Sequence, residues 1–276
     1  MSEPLRPDEI RALAMRIRRH VVEMTHRARA SHVGTSLSMA DLLAVLYGGI
    51  LRVDPANLGS PNRDRFVLSK GHGCAGLYAA LAERGFFSSA RLAEFYQDDT
   101  AMAGHVTHSD VPGVEVSTGA LGHGLAIACG MALAGRRDRR PYRVFALLSD
   151  GECDEGATWE AALFAAHHRL DALVAIVDYN KMQSLGSVAE VLGLEPLARK
   201  WEAFGWSVRE IDGHDVAEIQ RELGAVPYAT DRPSCVIAHT VKGKGVSFME
   251  NQLLWHYRSP DAAELARALA ELDPAP

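Results

Sequence analysis

The hydrophobic positions of the chain form short apolar runs, separated by longer stretches with helical periodicity. Val144–Leu148 and Leu173–Val177 have the length and composition of buried strands. Further strands are predicted at Phe66–Leu68, Ser207–Ile211 and Ser234–His239. Strands that alternate with helices favour a parallel sheet covered on both faces. The pattern therefore predicts an α/β fold with a doubly wound, largely parallel sheet and helices on both of its faces.

The stretches between the strands predict helices, and the first one is amphipathic over residues 8–29. Ser38 is expected to be the N-cap of the second helix. Residues 96–118 and Leu185–Val191 are expected to form loops. The predicted helices after the first are Met39–Leu51, Ala75–Arg84, a helix that follows the segment S-T-G-A-L-G-H-G and ends near Ala134, Ala157–Leu170, Leu197–Phe204, Val216–Leu223 and Ala262–Leu272.

Two polar residues follow neighbouring predicted strands. Asp150 comes after the strand at 144–148, and Asn180 comes after the strand at 173–177. The segment from Arg143 to Asn180 reads as a strand–helix–strand unit, so both residues leave the sheet at its carboxyl edge, where such sheets bind ligands. Carboxylate and amide oxygens suit Mg²⁺ or Ca²⁺, and Mg²⁺ commonly shares its ligands with phosphates. From spacing alone, a simple turn at Asp150 and a helix cap at Asn180 are equally good interpretations.

Composition and charge exclude several classes of protein. The formal net charge of −6 leaves no basic surface for nucleic acid, and no run of about 18 apolar residues suggests a membrane span. The N-terminus lacks the apolar core of a signal peptide. Four cysteines are scattered without any C-x-x-C pair, which favours reduced thiols and a cytoplasmic location.

Four of the twelve histidines draw attention because they lie in loops or beside glycines: His32, His72, His105 and His256. Taken singly, each is more often a structural residue than a functional one. Zinc binding is not supported, since no H-x-x-x-H or H-E-x-x-H spacing occurs. The sequence gives no reason to treat His123, His167, His168, His214 or His239 as anything but structural residues.

Several motifs, taken in order, resemble those of the transketolase family. D-G-E-C-D-E-G followed by N-K resembles its thiamine diphosphate signature, and S-T-G-A-L-G-H-G resembles its S-T-G-P-L-G-Q-G element. S-H-V-G, K-G-H-G, A-G-H-V and the L-W-H-Y that follows K-G-K-G match its four histidine loops. The resemblance covers nearly the whole chain and roughly the first third of a full-length transketolase. It implies a ketol transferase that uses thiamine diphosphate.

The resemblance also implies roles for particular residues. Mg²⁺, for which Ca²⁺ can substitute, would be held on the cofactor's diphosphate by Asp150, Asn180 and the backbone carbonyl of Met182. The implied cofactor contacts are His72, Gly119, Ala120, Leu121, Gly151, Glu152, Asn180 and His256. The implied catalytic residues are His32, His72, His105 and His256. Imidazoles suit this chemistry, because cleavage between C2 and C3 of a ketose removes a proton from the C3 hydroxyl.

The resemblance further implies one diphosphate-binding domain over residues 1–276, with helical extensions at both ends and no pyrimidine-binding domain. In this family, the Glu that activates the cofactor belongs to the pyrimidine-binding domain. We therefore expect the N-terminal subunit of a split transketolase, inactive alone, which joins a C-terminal subunit in an α₂β₂ complex. Its substrates would be a ketose, expected to be a sugar phosphate, and an aldose.

Three other functions stay open at this point. A 2-oxoacid-decarboxylating subunit uses the same cofactor, but it would not need four sugar-contacting imidazoles. A non-catalytic cofactor-binding homologue would not need an intact set of Asp150, Asn180 and these histidines. A metal-dependent phosphohydrolase would need Glu152 or Glu155 as a second carboxylate beside Asp150.

Overall fold

Five parallel strands form one sheet in a computed structural model that describes residues 4–273. The strands are β1 (Arg65–Leu68), β2 (Val144–Ser149), β3 (Leu173–Tyr179), β4 (Ser207–Asp212) and β5 (Ser234–His239). Their spatial order is β1-β2-β3-β5-β4, and every neighbouring pair is parallel. All five predicted strands are present, and the predicted α/β class with a parallel sheet is confirmed.

Ten α-helices surround the sheet in the described part of the chain: α1 (Pro7–Ala28), α2 (Val33–Ser38), α3 (Ala40–Val45), α4 (Cys74–Glu83), α5 (Gly124–Arg137), α6 (Gly156–His167), α7 (Val188–Val191), α8 (Leu197–Ala203), α9 (Val216–Gly224) and α10 (Ala262–Leu272). Most of these match the predicted helices to within a few residues. Residues 96–118 are irregular, as expected. A short 3₁₀ segment at Ser89–Glu94 precedes them. No helix within residues 4–273 has the length and apolar character needed to cross a bilayer.

Two local predictions were wrong. Ser38 does not cap a helix: it is the last residue of α2, and its hydroxyl donates instead to the Asp178 carboxylate, 2.6 Å away. After α3, the chain continues as one wide turn over Leu46–Ile50. The expected loop at Leu185–Val191 contains α7, because Ser187 and Glu190 form a capping box at its start.

The sheet separates two apolar clusters. Phe145 and Leu147 of β2 pack with α1, α3, α4 and α9, whereas Val144, Ala146 and Leu148 of the same strand pack with α5, α6 and α8. This alternation is what a strand buried on both faces requires. It explains why β2 and β3 contain the apolar runs Val144–Leu148 and Leu173–Val177 and have no exposed position.

The parallel arrangement brings four strand ends to one edge of the sheet. The residues that follow β1, β2, β3 and β5 are Ser69, Asp150, Asn180 and Thr240. Ser149 pairs with Asp178 and Tyr179 with His239, so the ends of β2, β3 and β5 lie side by side. The polar residues that follow these strands are therefore assembled into one site.

Candidate active site

A cleft of about 390 Å³ opens at this carboxyl edge. It is bounded by the strand ends, by the turn before α2 and by the loops that precede α5 and α10. Most of the residues predicted from the sequence line it: His32, His72, His105, Gly119, Leu121, Asp150, Gly151, Asn180, Met182 and His256. Segments more than 200 residues apart along the chain thus meet at one place.

The four predicted imidazoles face one another. The ring centroid of His32 lies 5.2 Å from that of His72, 5.8 Å from that of His105 and 5.0 Å from that of His256. His32 itself has a left-handed backbone with φ of 68°, which is uncommon for a residue with a side chain. Its N–H donates to the carbonyl of His256 at 3.0 Å, and its carbonyl accepts from the Ser36 hydroxyl at 3.2 Å. The first of these bonds joins the turn before α2 to the segment that carries His256.

Three of these imidazoles are held in the neutral form. Burial, together with electrostatic repulsion from His105 and Lys242, lowers the pKa of His32 to about 4. Burial and Lys242 lower the pKa of His256 to about 3. Burial and Lys70 hold the pKa of His72 well below its ordinary value. Neutral imidazoles can accept protons, so the cleft carries bases at neutral pH.

Side-chain oxygens that could bind a cation lie at the ends of β2 and β3, in the same cleft as the imidazoles. Asp150 is 2 % exposed, and its two carboxylate oxygens accept the N–H groups of Gly151 at 2.8 Å and Lys181 at 2.7 Å. The amide oxygen of Asn180 accepts the N–H of Met182 at 3.1 Å. Burial and the neighbouring Asp178 raise the pKa of Asp150 to about 6. The carboxylate is thus held in place by backbone donors in a setting that would favour a nearby cation.

Lys242 is a residue of the cleft that the sequence did not single out. Its side chain is almost fully buried, and its Nζ lies 3.0 Å from the carbonyl of Met182 and 2.9 Å from Nδ1 of His256. Burial lowers its pKa to about 8. The signal in the sequence was the segment K-G-K-G, whose lysines look like ordinary surface residues.

A second lysine lies directly beneath the cleft. Lys70 is fully buried and forms an ion pair with Asp178, whose carboxylate also accepts from the hydroxyls of Ser38 and Thr240. These partners come from α2 and from the ends of β1, β3 and β5. The network therefore connects α2 to the ends of these three strands.

Comparisons with known proteins agree with this geometry. Residues 9–273 match the family model described as the transketolase, thiamine diphosphate binding domain. The chain is 41% identical over 255 residues to an apulose-4-phosphate transketolase subunit from Phocaeicola vulgatus, covering 92% of this chain and 90% of the relative. It is 44% identical over 257 residues to the 6-deoxy-6-sulfo-D-fructose transketolase subunit SqwG of a Clostridium species, covering 93% of this chain and 94% of the relative.

The chain belongs to the transketolase family. Among solved structures, the transketolase from Leishmania mexicana superposes with a TM-score of 0.90 at 28% identity, covering 98% of this chain. The chain spans 42% of the length of that transketolase. The matched part is the thiamine diphosphate-binding domain, as the motifs indicated.

Two of the predicted cofactor contacts of this transketolase domain do not line the cleft. Glu152 is fully buried, and its carboxylate accepts the N–H of Gly122 at 2.9 Å and the hydroxyl of Ser69. It therefore anchors the glycine-rich loop from behind. Ala120 lies at the exposed tip of that loop, between Gly119 and Leu121, which do line the cleft.

Close approach of two loops explains the glycines on this side of the cleft. A Cβ on Gly71 would lie 2.6 Å from the carbonyl carbon of Thr118, and one on Gly124 would lie 2.2 Å from the Ser69 hydroxyl.

Within residues 4–273, no cluster of three or more His, Cys, Asp or Glu side chains is arranged to hold a metal. A metal in this cleft would therefore depend on amide or backbone oxygens in addition to Asp150.

Proposed function

We propose that this chain is the N-terminal subunit of a split transketolase, which transfers a two-carbon ketol unit from a ketose to an aldose together with a partner subunit. The relatives named as transketolase subunits support this, because the chain spans 90% and 94% of their length. The names of these relatives, an apulose 4-phosphate and a 6-deoxy-6-sulfofructose transketolase, support an anionic ketose, such as a sugar phosphate, as the substrate class.

Asp150, Asn180 and the carbonyl of Met182 would hold Mg²⁺ on the cofactor's diphosphate, and Ca²⁺ would suit the same oxygens. The observation that carries this proposal is that Asp150 and Asn180 follow neighbouring strands and line one cleft with Met182. The buried carboxylate of Asp150 is also fixed by backbone N–H groups. Mg²⁺ and Ca²⁺ prefer oxygen ligands, and Mg²⁺ binds beside phosphates. The Met182 carbonyl, although it accepts from Lys242, has a second lone pair.

Thiamine diphosphate, when bound, supplies the electron sink for cleavage of the bond between C2 and C3 of a ketose. The chain's own imidazoles would do the proton transfer. His32 and His105 would face the sugar, where the neutral ring of His32 can take the proton of the C3 hydroxyl. His72 and His256 would lie between the diphosphate and the sugar, and Gly119 and Leu121 would line the aminopyrimidine side of the cofactor.

The partner would supply the carboxylate that activates the cofactor. We infer an α₂β₂ complex with two sites, because closed two-fold assemblies are the commonest among soluble oligomers. The four cysteines are free and buried, which is consistent with the reduced thiols of the cytoplasm. Other thiamine diphosphate chemistry, such as decarboxylation of a 2-oxoacid, receives no particular support from a cleft with four facing imidazoles.

Calorimetry on two matched variants tests the metal assignment. Asp150→Asn and Asp154→Asn each remove one negative charge from the lining of the same cleft. Loss of a buried charged ligand typically costs about 2–5 kcal/mol. We therefore expect Asp150→Asn to weaken Mg²⁺-dependent binding of thiamine diphosphate by more than about tenfold, and Asp154→Asn to have a much smaller effect. Unchanged affinity in Asp150→Asn, or equal losses in both variants, would contradict the assignment.

A further inference from the structure

A buried series of hydrogen bonds runs from α1 to the backbone that enters the cleft. Arg18 of α1 donates to Asp41 of α3, with Nη1 3.1 Å from Oδ1. Nδ1 of His214 lies 2.7 Å from Oδ2 of Asp41, and Nε2 of His214 lies 2.8 Å from the N of Val241. The side chains of Arg18, Asp41 and His214 are 5%, 9% and 14% exposed.

The partners of His214 determine which ring nitrogen carries the proton. A backbone N–H can only donate, so Nε2 must accept from Val241 and Nδ1 must carry the proton. The carboxylate of Asp41 is the matching acceptor, and Arg18 holds that carboxylate in place. Each group in the series thus has a defined donor or acceptor role.

The bond at Val241 differs from those of its neighbours. The N–H of Thr240 donates to the carbonyl of Tyr179 at 3.1 Å, and the N–H of Gly243 donates to the carbonyl of Gly34 at 2.9 Å. Both of these are backbone bonds that any side-chain substitution leaves in place. The Val241 bond depends on a side chain, so it can be removed by itself.

The segment that His214 holds leads directly to residues of the cleft. Lys242 follows Val241, and its Nζ contacts the Met182 carbonyl and Nδ1 of His256 at 3.0 and 2.9 Å. The carbonyl of His256 in turn accepts the N–H of His32. A shift of the backbone at Val241 would therefore reach both Lys242 and the imidazoles.

We propose that His214, which Asp41 and Arg18 orient, is a positioning residue that fixes the backbone at Val241 and thereby holds Lys242 and His256 in the cleft. The consequence of this positioning for cofactor binding rests on the proposed function. None of the three side chains lines the cleft, so their effect would pass through the Val241 backbone. His214, which the sequence suggested to be structural, would thus tune the cofactor site.

Asparagine and glutamine substitutions at position 214 test the hydrogen bonds at Nδ1 and Nε2 of the imidazole separately. The amide of His214→Asn lies where Nδ1 is, so it can donate to Asp41 but cannot reach Val241. The amide of His214→Gln extends to the position of Nε2, so its oxygen can accept the Val241 N–H. His214 lies in a turn and is partly exposed, so we expect both variants to fold, as thermal unfolding would verify.

The first readout is hydrogen exchange of the Val241 amide in the cofactor-free chain, followed by NMR after ¹⁵N-valine labelling. We expect slow exchange in the native chain and in His214→Gln, and exchange about tenfold faster in His214→Asn, as loss of one hydrogen bond would give. The second readout is calorimetry with thiamine diphosphate and Mg²⁺. We expect His214→Asn to raise the dissociation constant about tenfold and His214→Gln to change it by no more than about twofold.

Equal exchange of the Val241 amide in the two variants would overturn the proposal. So would equal cofactor affinities, even if the exchange rates differed, because the backbone would then not position the site. If the native chain binds no thiamine diphosphate, the proposed function fails, while the exchange comparison still decides whether His214 fixes the Val241 backbone.

Discussion

At the scale of single residues, the cleft combines neutral bases with a buried acid and two buried lysines. The pKa values of His32 and His256 fall to about 4 and 3, while that of Asp150 rises to about 6, and burial is the first cause in each case. Desolvation disfavours the charged form of every group, so the imidazoles and the carboxylate shift in opposite directions. The imidazoles with lowered pKa are therefore unprotonated at neutral pH, and their burial lowers the free energy of unfolding at acid pH.

We predict that the contribution of His32 to stability falls as the pH drops below about 6.5. An unfolded histidine titrates near 6.5, whereas folded His32 titrates at about 4. Between these values, the unfolded chain binds more protons, so the free energy of unfolding decreases as the pH falls and levels off below the folded pKa. His32→Asn should flatten this dependence, as urea unfolding at pH 7, 6 and 5 would show. A variant with the same slope as the native chain would contradict the shifted pKa.

The proposed substrate role of His105 has its own test. We expect His105→Ala to leave the affinity for thiamine diphosphate nearly unchanged and to lower ketol transfer in the assembled complex by about 10²–10⁴-fold, the usual contribution of a positioned acid–base group. Calorimetry and steady-state kinetics on the same preparation measure both. If the variant instead loses the cofactor and keeps its turnover at saturating cofactor, His105 contacts the cofactor and not the sugar.

The sequence alone identified the histidines of the cleft but not its lysines. Each of the four histidines lies in a recognisable motif, so position and residue type were both informative. Lys242 and Lys70 are functional candidates only because tertiary packing buries them, to 1% and 0% exposure. No local pattern distinguishes such a lysine from a solvated one, since the partners of Lys70 lie 35 and 108 residues away.

At the scale of elements, the strands were predictable, whereas the short helices α2 and α7 were not. A strand buried on both faces must be a continuous apolar run, so β2 and β3 are evident in the sequence. The α2 segment, V-G-T-S-L-S, has no helical period, because all six of its residues are buried. Its last residue, Ser38, was misread as a cap because its hydroxyl bonds a carboxylate 140 residues away.

Ser38→Ala tests that long-range bond. The substitution leaves a buried carboxylate oxygen of Asp178 with one donor fewer, which we expect to cost about 1–3 kcal/mol of stability. Denaturant unfolding should show the loss, while the exposed Ser89→Ala control should remain within about 0.5 kcal/mol of the native chain. Equal stability of both variants would mean that the Ser38 hydroxyl does not support Asp178.

At the scale of the whole molecule, one sheet edge gathers the metal-binding candidates, the imidazoles and the glycine-rich loop into one cleft. The doubly wound topology explains this, because parallel strands send their carboxyl ends to the same side. The chain spans nine-tenths or more of relatives that are named as subunits, but 42% of a solved transketolase. We therefore expect a site that binds the cofactor's diphosphate but needs another chain for activation.

The exchange of the C2 hydrogen of bound thiamine diphosphate with deuterium tests this account most directly, since it requires no knowledge of the sugar substrate. The purified chain, loaded with cofactor and Mg²⁺, should exchange this hydrogen slowly. Addition of the proposed C-terminal subunit, which would supply the activating Glu, should accelerate the exchange strongly and restore ketol transfer. Fast exchange by the purified chain, with no second polypeptide present, would contradict the split-enzyme account.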